Sequence, residues 1–161
     1  MCDYSLMAVP NRLAREQEEL VAYRFPAGST GLTTPEELRR ITARRQESRG
    51  IWAAIRGFLD PGNTDPACAV CIPPGARLWL ADIPPRMQAE LGVGPDEVVT
   101  FTQISAAVNS YRDAVRFRNG RVIRLQELRE GQRMKVLDLS GAVEGFEPAA
   151  EEPRELLHRR R

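Results

Sequence analysis

The stretch that most restricts the fold is Ala114–Leu125, AVRFRNGRVIRL. Two runs alternating apolar and polar residues flank Asn119-Gly120, a dipeptide suited to tight turns between antiparallel strands. The register can be settled by counting. A two-residue Asn-Gly loop pairs Phe117 with Val122 and Arg116 with Ile123, which mixes apolar and charged faces. A three-residue loop, Arg118-Asn119-Gly120 with Gly120 left-handed, pairs Val115 with Ile123. Val115, Phe117, Ile123 and Leu125 then share one side. A slip of one residue turns every side chain to the other face, so the bulged register is the expected one.

The rest of the chain divides around this hairpin. Val21, Tyr23 and Phe25 alternate within Glu19–Phe25 and suggest a strand, and 26–33 (PAGSTGLT) reads as a loop. The clearest helix follows: Thr34 as N-cap, Pro35 at the first position and Glu37 completing a capping box. Leu38, Ile41, Trp52, Ile55 and Phe58 fall near one face. Gly50 splits this stretch into helices ending near Ser48 and running from Gly50 to Leu59. The loop 60–66 (DPGNTDP) ends the helical part. Short strands are expected at Ala67–Ile72, Arg77–Leu80, Val98–Gln103 and Met134–Leu139, with a turn at Pro73-Pro74-Gly75, a helical turn around Met87–Leu91 and a turn at Arg129–Gln132.

The composition is that of a folded domain: 161 residues, 42% of them hydrophobic, enough for one core. Lys and Arg number 23 against 22 Asp and Glu, spread evenly over both halves, so no global field draws the chain to nucleic acid or an anionic membrane. The start, MCDYSLMAVPNRLAREQ, lacks the pattern of a secretory signal, and no apolar run approaches the roughly 20 residues that cross a bilayer. The expected compartment is the cytoplasm.

The cysteines are Cys2, Cys68 and Cys71. An odd, small number argues against a disulfide scaffold. Removal of Met1 leaves Cys2 at the amino terminus, where its α-amino group can activate the thiol as a catalytic nucleophile. The Met-Cys opening resembles that of class II glutamine amidotransferases, and no further part of the chain extends the likeness. Cys68-Ala69-Val70-Cys71 is a C-x-x-C. Both thiolates of such a motif can face one metal in a turn, whereas residues three apart in a strand face opposite sides. A metal site (zinc, copper or iron) would draw on Cys2, Cys68 and Cys71 with Asp3 or His158 as a fourth ligand. The alternative is that these cysteines are small apolar core residues.

Arginines are the remaining concentration. Arg39, Arg40, Arg44, Arg45, Arg49 and Arg56 lie on the expected helices, and Arg112, Arg116 and Arg124 on the polar face of the hairpin. No aromatic residues interleave with them as a stacking platform would require, so they read as a solvated face. Phosphate-binding glycine loops and the G-x-S-x-G elbow are missing from the sequence, and a Ser-His-Asp set would have to use His158 near the carboxyl end.

Met1-Cys2-Asp3-Tyr4-Ser5-Leu6, together with Arg24-Phe25, Ala69-Val70-Cys71, Pro73-Pro74-Gly75, Asn119-Gly120-Arg121-Val122 and Leu128–Gln132, resembles a group of small bacterial proteins with no established activity. The resemblance spans residues 1–140 and implies no catalytic residue. It implies that Cys2 and Cys71 belong together and that Cys68 stands apart.

The expected architecture is α+β: a small antiparallel sheet, or a partly open SH3-like barrel, over 67–140 with one or two helices from 35–59 packed on it. Residues 1–140 form one domain and 141–161 a flexible charged tail. The expected function is that of a small cytoplasmic accessory or binding module without an assembled catalytic set, with no membrane or nucleic-acid site, and with its partner, a protein among the options, left open by the sequence. The alternatives are a thiophilic-metal or redox protein using Cys2 and Cys71, with or without Cys68, and an enzyme with Cys2 as nucleophile.

Overall fold

The structure, a computed structural model, describes residues 9–26, 28–47, 67–104 and 111–141. The expected helix from Gly50, the loop 60–66 and the charged tail beyond Gly141 lie outside these residues. The described part is α+β. Seven strands form one open antiparallel sheet, in the order β3 (Thr30–Thr33), β2 (Glu19–Arg24), β9 (Arg133–Asp138), β5 (Arg77–Leu80), β6 (Glu97–Gln103), β7 (Asp113–Arg116) and β8 (Val122–Arg124). A separate pair, β1 (Asn11–Leu13) and β4 (Ala69–Cys71), runs parallel. The sheet has two edges, β3 and β8, and does not close into a barrel.

The hairpin takes the bulged register: Val115 pairs with Ile123 and Arg116 with Val122. Gly120 is left-handed at φ 84°. Phe117 N–H donates to the Arg121 carbonyl at 2.8 Å, which closes the three-residue loop. Side chains alternate as the sequence pattern requires. Val115, Phe117, Ile123 and Leu125 join Leu20, Ala22, Leu78, Leu80, Val99, Phe101, Met134 and Val136 in the main core.

Strand β2 is buried on both sides. Leu20 and Ala22 enter the main core. Tyr23 and Phe25 enter a second cluster with Ile41 and Leu38 of helix α1 (Pro35–Glu47). The Tyr23 and Phe25 rings meet edge to face at 5.1 Å and 79°, a favourable aromatic geometry. Helix α1 starts where its cap predicts: Glu37 N–H donates to Thr34 Oγ1 at 3.2 Å. A second helix, α2 (Pro85–Leu91), occupies the expected helical turn and ends at left-handed Gly92, φ 65°.

Two sequence readings are corrected. Residues 26–33 are not all loop, because Thr30–Thr33 forms β3 against β2. The turn needs only the residues around Gly28 (φ 87°), and Phe25 N–H reaches the Ser29 carbonyl at 2.9 Å. The strand at Ala69–Cys71 also stays outside the antiparallel sheet and takes Asn11–Leu13 as a parallel partner. Parallel pairing needs a long connection between its strands, and here some 55 residues intervene.

Gly120 has open space around the position of a Cβ, so only backbone conformation resists substitution there. Gly120→Ala should lower the unfolding free energy by about 1–2 kcal/mol, with Gly120→Asn closer to wild type. Urea denaturation measures both, and equal stability of all three proteins would contradict the assigned turn.

Candidate functional site

The cysteine motif sits where α1, β1, β3 and β4 meet. Both backbone groups of Cys68 are tied down: its N–H donates to Glu37 Oε1 at 3.1 Å, and its carbonyl accepts from Thr33 Oγ1 at 2.8 Å. The Cys68 thiol is free and half-buried. Cys71 ends β4 opposite Leu13 of β1, and its carbonyl accepts the Ala14 N–H at 2.9 Å. Only 6% of Cys71 is exposed. Its sulfur is in a disulfide, a bond the odd cysteine count gave little reason to expect. Extended backbone separates the two motif cysteines, so C-x-x-C does not act here as a turn that gathers two thiolates.

These placements bear on the metal reading. In the disulfide state Cys71 has no thiolate to give a metal. Among the described residues no cluster of three or more His, Cys, Asp or Glu could hold one. Cys2, Asp3 and His158 lie outside the described residues, as does the terminal nucleophile proposed for Cys2.

Beside Cys68, Arg12 of β1 makes a two-pronged ion pair with Glu18, which also accepts the Arg15 N–H at 3.0 Å. Burial pushes the Glu18 pKa upward, but the hydrogen bonds from Arg12 and Arg15 and the positive charge of both outweigh it, so the carboxyl titrates below its ordinary range. The Arg12 pKa is raised, first by its hydrogen bond to Glu18, which with the negative charge of Glu18 and of Glu37 outweighs the lowering by burial. This charged group was not visible in sequence, because it depends on β1 reaching β4.

A second polar group was also missed. Gln103 Nε2 donates to Asp113 Oδ1 at 2.9 Å in the buried end of β6 and β7. Burial of such a pair is tolerated because it is hydrogen-bonded. The nearby Arg112 is half-buried, whereas Arg116 and Arg124 are exposed on the hairpin face opposite its apolar stripe. On α1, Arg40 pairs with Glu37 at 2.6 Å, and Arg39 Nε donates to the Pro35 carbonyl at 3.3 Å. Asn119 is engaged in the turn: its Nδ2 donates to the Leu91 carbonyl at 2.9 Å, and its Oδ1 accepts the Arg121 N–H at 3.1 Å.

The outer side of the sheet carries in its middle the largest exposed aromatic group among the described residues. In β5, Leu78 and Leu80 point into the core, so Arg77 and Trp79 point out. Trp79 is 38% exposed. Its cross-strand neighbours are Lys135 of β9 and Val98 of β6. One row away, Asp138, Arg77, Thr100 and Arg116 line up across four strands, with the Asp138 carboxyl next to the Arg77 cation. Glu19 stands at the edge of the first row, opposite Lys135. A shallow cavity of about 50 Å³ lies here between Pro35, Val21, Trp79, Arg133 and Lys135. It has room for a few water molecules, against the roughly 300–1,000 Å³ of small-molecule sites. Comparison with protein-family models, curated proteins and solved structures finds no match to this chain.

Because the folded pKa of Glu18 lies below its unfolded value, its contribution to stability is complete above about pH 4.3 and is lost as pH falls through the folded pKa. Glu18→Gln should therefore differ most from wild type above that pH, and the gap should close under more acid conditions. Urea titrations from pH 7 to pH 2.5 measure it, and a gap independent of pH would contradict the ion pair.

Proposed function

We propose that the protein is a small cytoplasmic accessory module without catalysis of its own, and that it binds an acidic protein segment on the outer face of β5, β6 and β9. The observation that carries this reading is Trp79, set in the open among Arg77, Arg116 and Lys135 on a rigid sheet. Exposed Trp and Arg side chains are the groups that most often dominate binding energy at protein interfaces. Three cations stand beside this aromatic anchor; Arg77 faces Asp138 and Lys135 faces Glu19 across the strands, which leaves Arg116 without a cross-strand acid. The set suits a partner that offers carboxylates around one apolar side chain, and it steers such a partner during encounter. The flatness of the region and the small size of its cavity favour a peptide over a small metabolite.

A synthetic peptide of glutamates around a single phenylalanine is the probe. At low ionic strength it should shift the fluorescence of the full chain, and Trp79→Phe should abolish most of that shift. Arg77→Glu should weaken binding about 10-fold and reduce its salt dependence. A wild-type chain that ignores millimolar peptide at low salt contradicts the proposal, as does binding that survives both substitutions unchanged.

A further inference from the structure

The binding face leaves the cysteines unused, and their state carries a separate conclusion. Cys71 is disulfide-bonded and Cys68 is free. The chain has three cysteines, so the one sulfur left within it to pair with Cys71 is Cys2. We propose that Cys2 and Cys71 form a reversible thiol–disulfide couple that fastens the amino-terminal segment to β4, and that opening this couple releases β1.

Chain length permits the bond. Asn11 pairs with Ala69 in a parallel ladder, which sets Val9 near the level of Ala67, four strand positions or roughly 13 Å from Cys71. Val9 itself packs on the cluster containing Ala67 and Ala69. Seven residues lead from Cys2 to Val9 and can span up to about 24 Å.

The strand that the bond would hold is weakly held otherwise. β1 has three residues and one partner strand, too little to persist alone. Its flanking backbone bonds are Ala69 N–H to the Pro10 carbonyl at 2.8 Å and Ala14 N–H to the Cys71 carbonyl at 2.9 Å. Leu13 is largely exposed and contributes little burial. A covalent link at Cys71, the residue opposite Leu13, therefore acts at the point where β1 is anchored.

Cys68 stands outside the couple. In extended chain it lies about 10 Å from Cys71 and faces the other way, too far for its sulfur to attack that disulfide.

A small-molecule disulfide such as oxidised glutathione closes the couple. One cysteine thiolate attacks it, forming a mixed disulfide and expelling one small thiolate. The second cysteine thiolate attacks the mixed disulfide and expels the other. The protons lost by the two cysteines end on the two departing thiols, and two electrons pass from the cysteine pair to the small disulfide. A dithiol reductant runs the exchange in reverse: one of its thiolates opens the bond to a mixed disulfide and expels a cysteine thiolate, and its second closes the reductant's own disulfide and expels the other cysteine.

The test uses the full chain after equilibration with oxidised glutathione. Alkylation under denaturing conditions, followed by digestion and mass spectrometry, should label Cys68 alone and yield a Cys2–Cys71 cross-linked peptide that dithiothreitol splits. Hydrogen exchange with and without dithiothreitol should show the Ala14 and Ala69 amides accelerating more than about 10-fold on reduction, with the Phe101 and Ala81 amides unchanged. Cys2→Ser should exchange like the reduced chain even under oxidant, and Cys68→Ser like wild type. Three alkylated cysteines after oxidation, a bond through Cys68, a Cys71–Cys71 dimer, or exchange at Ala14 and Ala69 that ignores reduction would each overturn the proposal.

Discussion

The pairing of β9 on both of its edges holds the described structure together. β9 bonds to β2 on one side and to β5 on the other. Without it the seven-stranded sheet falls into two sets, β3-β2 and β5-β6-β7-β8, each too narrow to cover its own apolar face. With it, Met134 and Val136 fill the middle of one core, between Leu20 of the early chain and Leu78 and Leu80 of the middle chain. Further backbone bonds seal both seams: Ala22 N–H to the Gln132 carbonyl at 2.9 Å, Ala81 N–H to the Arg133 carbonyl at 3.0 Å and Val136 N–H to the Glu18 carbonyl at 2.9 Å. The last described strand thus completes what the first strands began, a pairing of high sequence separation that favours slow folding.

Both candidate regions follow from that seam. β9 sets Lys135 beside Trp79 on the outer face, and the β5 alternation that buries Leu78 and Leu80 turns Trp79 outward. On the other side of β9, β2 carries β3 and α1, whose Thr33 and Glu37 position Cys68 and hence the start of β4. The cysteine region is in this sense a second layer hung on the sheet, attached through β4 residues Val70 and Ala69 in the two cores. Such peripheral layers are where local opening is cheapest. In the proposed cytoplasmic setting, a disulfide at that layer would be one that is made and broken.

How far the sequence could foretell this depends on where each signal resides. The hairpin was legible because alternation at Val115, Phe117 and Ile123 and the left-handed need of Gly120 agree on a single register. The start of α1 was legible because Thr34, Pro35 and Glu37 act within one turn. β3 was hidden in Gly- and Ser-rich composition, its strand character arising only against β2. The β1–β4 pair had no periodicity to read, since three residues per strand give no repeat and the partners are far apart in sequence. The Arg12–Glu18 pair and the Gln103–Asp113 bond depend on tertiary placement, and a count of three cysteines could not say which one is oxidised. Trp79 was assigned to a strand from sequence, but its exposure follows from which of its neighbours the core took.

The central claim is that β9 joins two parts that have no independent stability. Native-state hydrogen exchange in increasing denaturant tests it directly, read at the amides of Ala22, Ala81 and Val136 that donate across the two seams. The account predicts that all three exchange only through global unfolding, with the same free energy and the same denaturant slope as the core amide of Phe101. If Ala22 or Val136 opened at markedly lower free energy while Phe101 stayed protected, β2 would separate from a sheet that survives without it, and the account would be wrong.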